Sequence, residues 1–184
     1  WRHPVVLPDL LGDIYMELDA AIEKGSESTR QWEGHREIAE LVIDGNPEET
    51  LGAMLQLLRE GVELTELSSA VAYAAALRLV HFRVTNEFGD WDTVHHTFTY
   101  CNGVDQSLRR SSSNLTARGI FDGAMAVYLD RFLNVPKQAI PKQSGGSPGR
   151  EDLLSLFDEQ GKVDETAQLV RDMIGSDGPD SVIA

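Results

Sequence analysis

The stretch SAVAYAAALRLV, from Ser69 to Val80, decides the fold. Wound as a helix it is apolar on almost every face, so other elements must enclose it, and its alanines let neighbouring helices come close. Arg78 is its only charge. A guanidinium in such a setting needs a partner, and Glu87, Asp90 and Asp92 are the nearest candidates in sequence. The expectation is an arginine–carboxylate clamp that holds the turn over residues 85–92. A site for a substrate anion is the alternative.

Working outward, the buried helix should run from near Thr65 to about Val84. Upstream, Asn46-Pro47-Glu48-Glu49 reads as a helix start, with Asn46 as cap and Pro47 in the first helical position. That helix continues through Met54, Leu55, Leu57 and Leu58 to Gly61, and so short a turn predicts antiparallel packing of the pair. Residues 8–24 put Leu10, Leu11, Ile14, Tyr15, Leu18 and Ile22 on one stripe, and residues 32–44 repeat the period with Trp32, Ile38, Ala39, Leu41, Val42 and Ile43. Downstream, Asp90 is the expected cap of a helix from Trp91 to about Arg110. Asn114 should open another, Leu115 to Leu133, which Pro136 ends. No run of alternating β-branched residues reads as a strand. The predicted architecture is all-α, a multi-helix bundle over residues 1–136.

Residues 137–150, KQAIPKQSGGSPGR, have the composition of a linker. Beyond them, 151–160 and 163–174 form two short amphipathic segments, too short to be stable alone, followed by the tail SDGPDSVIA. The expected division is bundle, linker, and docking helices with tail over 151–184.

Composition narrows the function. The 184 residues hold 30 acidic and 16 basic side chains, a formal charge of −14, which argues against a broad nucleic-acid surface. At 41% hydrophobic there is enough apolar material for a real core. The longest apolar run, Ala70 to Leu77, is far short of the ~20 residues of a spanning helix. A single cysteine, Cys101, precludes an intrachain disulfide or a multi-thiolate metal site built by this chain alone, which suits a reducing cytoplasm. Starting at Trp1 without a recognisable signal peptide, the chain reads as processed or as part of a longer one.

Histidines are the main chemical candidates. His35, His81, His95 and His96 fall within the expected bundle. The functional reading is a metal site built from His35, His81 and His95 with Glu87, as helical proteins aim such ligands inward from facing helices. The plainer reading makes His81 a buried imidazole satisfied by a nearby carboxylate and leaves His96 in solvent. Cys101, among Phe98, Tyr100 and Val104, reads as a small core residue. There is no phosphate-binding glycine loop, nucleophile elbow, Cys-x-x-Cys or His-Glu-x-x-His.

The string FRVTNEFGDWDTVHHTFTYCNGVDQ, Phe82 to Gln106, followed by VYLDRFLNVP, Val127 to Pro136, resembles a helical region of large bacterial Rieske-type iron-sulfur proteins. Some of these accompany high-affinity [NiFe] hydrogenases and relay electrons. The resemblance spans about Val62 to Pro136 and marks Asn86, Trp91, His95 and His96 as motif positions. It departs from the family where the cluster is concerned: paired Cys-x-His and Cys-x-x-His loops are missing from this sequence. A [2Fe-2S] centre is therefore implied only on a flanking domain, and no cofactor is expected from this chain alone.

Three expectations follow. The leading one is a non-catalytic helical module for assembly or docking in a Rieske-type electron-transfer protein, partnering a redox enzyme such as a [NiFe] hydrogenase. It would work in the cytoplasm, or at the membrane periphery through a partner. The second is an all-α metal-dependent oxidoreductase that would hold iron through the His/Glu set. The third is a helical homo-oligomerisation domain.

Overall fold

The computed structural model describes residues 6–28 and 30–183, and every regular element among them is helical. The all-α expectation is met. No helix of the described residues is long and apolar enough to cross a membrane. The chain divides into two compact units, residues 1–138 and 139–184.

The first unit contains α1 (Leu7–Ser26), α2 (His35–Asp44), α3 (Pro47–Arg59), α4 (Leu64–Val80), α5 (Phe88–Arg110) and α6 (Asn114–Asp130). A single 3-10 turn, Arg131–Leu133, follows α6. Helix α4 is the Ala-rich segment, and it packs against α2, α5 and α6. Ala70, Val71, Ala74 and Ala75 are buried on it, while Tyr73 and Val80 reach solvent. Leu67, also on α4, shares one core with Leu18, Leu51, Met54, Ile120 and Phe121 of the other helices. Each such side chain contributes about 1.5–3 kcal/mol on burial.

Several boundaries differ from expectation, each for a local reason. Asn46 does cap α3, its Oδ1 accepting from the backbone of Glu48 at 2.9 Å and Glu49 at 3.3 Å. Yet α3 packs chiefly on α1, with only sparse contact to α4, so the short turn does not produce the expected antiparallel pair. The turn between them pivots on Gly61 at φ +89°, a left-handed conformation, and apolar faces rather than chain proximity select the partners. Helix α4 ends at Val80 instead of continuing to Val84, with His81 as its cap residue. Glu87, not Asp90, precedes α5; Asp90 sits in the first turn and accepts from the Glu87 backbone at 3.3 Å. Ser113, not Asn114, caps α6 by accepting from Thr116 N–H at 3.1 Å, which frees Asn114 to donate to Asp19 on α1 at 2.9 Å.

The second unit holds α7 (Arg150–Phe157), α8 (Val163–Asp177) and the short α9 (Asp180–Ile183), which occupies part of the expected tail. Part of the expected linker belongs to this unit. Asp172 on α8 accepts from both the backbone N–H and the hydroxyl of Ser144, each at 2.6 Å, and Gln168 donates to the Lys142 carbonyl at 2.8 Å. Lys137 and Gln138 belong to the first unit instead.

Candidate functional site

One end of the first unit gathers most of the residues singled out by sequence. Here the turn between α4 and α5 lies against the segment that follows α6, and side-chain amides join the two. Asn134, 3% exposed, donates through Nδ2 to the His81 carbonyl at 2.6 Å and accepts through Oδ1 from the Arg83 backbone at 3.1 Å. Asn86 donates to the Leu133 carbonyl at 2.5 Å. The Gln138 backbone N–H reaches the His81 carbonyl at 2.7 Å, and His81 Nδ1–H donates back to the Gln138 carbonyl at 2.7 Å. Turns lack the backbone ladder that satisfies helices internally, so buried amides complete the hydrogen bonding here. Trp91 packs edge-on against Phe82, ring centres 5.1 Å apart, and closes the base of the turn.

The proposed metal ligands are not brought together. His35 starts α2, where Nε2 meets Glu66 at 2.9 Å and the ring lies 4.6 Å from Trp32. His81 is satisfied by a backbone carbonyl, not by the expected carboxylate. His95 is exposed and donates through Nδ1–H to the Trp91 carbonyl one turn back at 2.7 Å. His96 is solvent-exposed, as its position off the apolar stripe implied, and lies 3.6 Å from Asp92. Glu87 is exposed at the start of α5. Among the described residues, no group of three or more His, Cys, Asp or Glu side chains is arranged to hold a metal ion. His35 instead reaches Glu66 on α4, His81 joins the segment after α6, and His95 and His96 stay within α5.

Arg78 is also partnered differently from expectation. It is 2% exposed, and Nη2 donates to the Ile43 carbonyl at 2.6 Å. The carboxylates that act on it are Asp44 and Asp130, not Glu87, Asp90 or Asp92. α4 ends at Val80, so Arg78 lies within the last turn and faces α2 and the end of α6, while Asp90 is used at the start of α5. Burial lowers the pKa of Arg78, and Asp44 and Asp130 oppose that shift. Burial likewise raises Asp130, against a bond from Thr97 and the charge of Arg78. Arg78 Nε and Asp130 Oδ2 are both buried without a hydrogen-bond partner.

A cavity of about 300 Å³ opens beside Arg78, lined also by Asp44, Arg131, Phe132, Asn134, Val135, Pro136 and Lys137. The Arg131 guanidinium lies over the rings of Tyr128 at 4.8 Å and Phe132 at 5.1 Å, and Lys137 pairs with Asp44 at 2.6 Å. Sequence reasoning passed over Arg131, Asn134 and Lys137. Their signal was faint: polar residues just after a helix end, beside a proline.

The residues present do not fit an iron–sulfur cluster. Cys101 is 2% exposed, and burial followed by the nearby charge of Asp130 pushes its thiol up to about 12, so it stays protonated at neutral pH. No family model, curated protein or solved structure matches the chain.

Proposed function

We propose that this chain is a non-catalytic helical docking module of a Rieske-type electron-transfer protein, and that it assembles with a redox partner such as a [NiFe] hydrogenase. The observation that carries the reading is the joining of the two segments that bear the resemblance. Residues 82–106 and 127–136 are distant in sequence, yet Asn86 and Asn134 fasten them into one surface. That surface exposes apolar side chains a monomer would ordinarily cover: Phe88 at 85% and Val135 at 80%, with Val84 and Val80 beside them in sequence. Aromatic and aliphatic groups at helix ends and in the segments that Asn86 and Asn134 tie down suit anchor positions in a protein interface. The net charge of −14 gives an approaching basic partner long-range attraction. The cluster itself would lie on the partner or on a flanking domain.

The test is affinity isolation of the chain from extract of its own organism, with the bound protein identified and its iron and acid-labile sulfide measured. Recovery of a cluster-bearing polypeptide or a hydrogenase in stoichiometric amount is the expected result. A lone monomer by light scattering, or a bound protein without a redox centre, would contradict it. A homo-oligomer whose assembly is broken by Leu154→Asp and Leu169→Asp on α7 and α8 would favour the oligomerisation reading instead.

A further inference from the structure

The cavity beside Arg78 carries a charge pattern that docking does not use. In a chain with a charge of −14, three cationic side chains, Arg78, Arg131 and Lys137, line one space together with a single carboxylate, Asp44. Asp44 is already taken up by Lys137 at 2.6 Å. We propose that this cavity binds a small molecule through an oxyanion group, a carboxylate or a phosphate, held by the Arg78 and Arg131 guanidinium groups.

Arg78 supplies the strongest argument. Its guanidinium is among the most thoroughly buried side chains of the protein, at 2% exposure, and a guanidinium keeps its charge at neutral pH even when burial lowers its pKa. The Ile43 carbonyl takes one of its five N–H groups, while Nε has no acceptor. A buried charged donor without an acceptor is costly and calls for one. Asp130 does not provide it at this atom, because Asp130 Oδ2 is itself without a partner. Arg131 adds a second planar fork, fixed by the Tyr128 and Phe132 rings. Guanidinium groups match carboxylate and phosphate oxygens in pairs, which favours an oxyanion over a simple halide. Phe132, Val135 and Pro136 form an apolar wall, so the ligand has an apolar body beside its charged head. A volume of about 300 Å³ fits a small metabolite.

The competing account is purely structural: an ordered water bridges Arg78 Nε and Asp130 Oδ2, Lys137 serves Asp44 alone, and nothing binds. Calorimetric titration of the full 184-residue chain separates the two. The probes are inorganic phosphate, succinate and benzoate, with sodium chloride holding ionic strength constant. Saturable binding of phosphate or of a carboxylate is expected, and which one binds identifies the headgroup. Arg131→Ala and Lys137→Ala should each weaken it at least tenfold without lowering Tm by more than a few degrees, whereas Arg110→Ala, at the C-terminal end of α5 and outside the cavity lining, should leave it unchanged. Arg78→Met should abolish binding. Because that variant also removes a buried bond to the Ile43 carbonyl, Arg131→Ala carries the decision. Absence of saturable binding by all three probes, or equal affinity in wild type and Arg131→Ala, would overturn the proposal. Either result leaves the docking reading intact, since partner capture is measured separately.

Discussion

The Asn134 side chain donates to the carbonyl of His81 at 2.6 Å across 53 residues of sequence. Its other amide atom accepts from Arg83, so one buried side chain ties the end of α6 to the end of α4. Asn134→Ala removes both bonds. The His81 carbonyl keeps its bond from Gln138, but the Arg83 N–H loses its acceptor. The expected loss is about 2–3 kcal/mol in urea unfolding. A change below about 0.5 kcal/mol, the range of ordinary surface substitutions, would mean that the junction does not hold this end together.

Arg78 and Asp130 should be energetically coupled although they do not bond at Nε and Oδ2. Arg78→Met leaves Asp130 without its nearby positive charge and should cost about 3–5 kcal/mol. Asp130→Asn should cost less, and the double variant should be more stable than the sum of the single changes implies. Strict additivity in a double-mutant cycle would show the two charges to be independent.

Two glycines on different helices should respond with opposite signs. A side-chain carbon at Gly25 on α1 would collide with the Leu58 backbone of α3, so Gly25→Ala should open the α1–α3 crossing and destabilise strongly. At Gly52 on α3 nothing lies within 4 Å, and Gly52→Ala should stabilise by about 0.5–1 kcal/mol through helix propensity. Thermal unfolding of both variants checks the pair; a neutral Gly25→Ala would contradict the close crossing.

The sequence made the bundle readable because its signal is periodic. Stripes such as Leu10, Ile14 and Leu18 need only a helix and a neighbour, and the density of alanine in α4 announces enclosure. Asn46 with Pro47 was legible for a similar reason, since a cap acts within three residues. Arg78 was misassigned because its environment comes from Ile43, Asp44 and Asp130, all more than 30 residues away. Proximity in sequence favoured Glu87 and Asp90, which the start of α5 uses locally. The histidines misled in the same way. Spacing placed them on helices, but whether they converge depends on how helices pack, and helix α4 stops before His81. Helix pairing also escaped the reading, because loop length limits distance without choosing which apolar faces meet.

Two carboxylates should shift stability with pH in opposite directions. Bonds from the Ser144 hydroxyl and backbone N–H hold Asp172 below its ordinary value. Its contribution is therefore present above the unfolded value of about 3.9 and is lost as pH falls through the depressed folded value. Burial raises Asp130, so that group favours the folded state most below its unfolded value, and the advantage disappears as pH rises through the folded value. In NMR titrations the Ser144 amide should move with Asp172 below pH about 4, and Asp130 should titrate above it. Asp130→Asn should flatten the stability profile above the ordinary carboxylate range, whereas an unchanged profile would remove Asp130 as its cause.

The most direct test of docking is capture from native extract with the wild type and a Phe88→Asp, Val135→Asp double variant in parallel. Both substitutions lie at exposed positions, so folding should be preserved and can be confirmed by circular dichroism. The wild-type eluate should contain an identified redox protein with an iron–sulfur or nickel–iron signal by electron paramagnetic resonance, and the folded variant should lose at least nine-tenths of it. Equal recovery with both proteins, or an eluate with no redox centre, would contradict it.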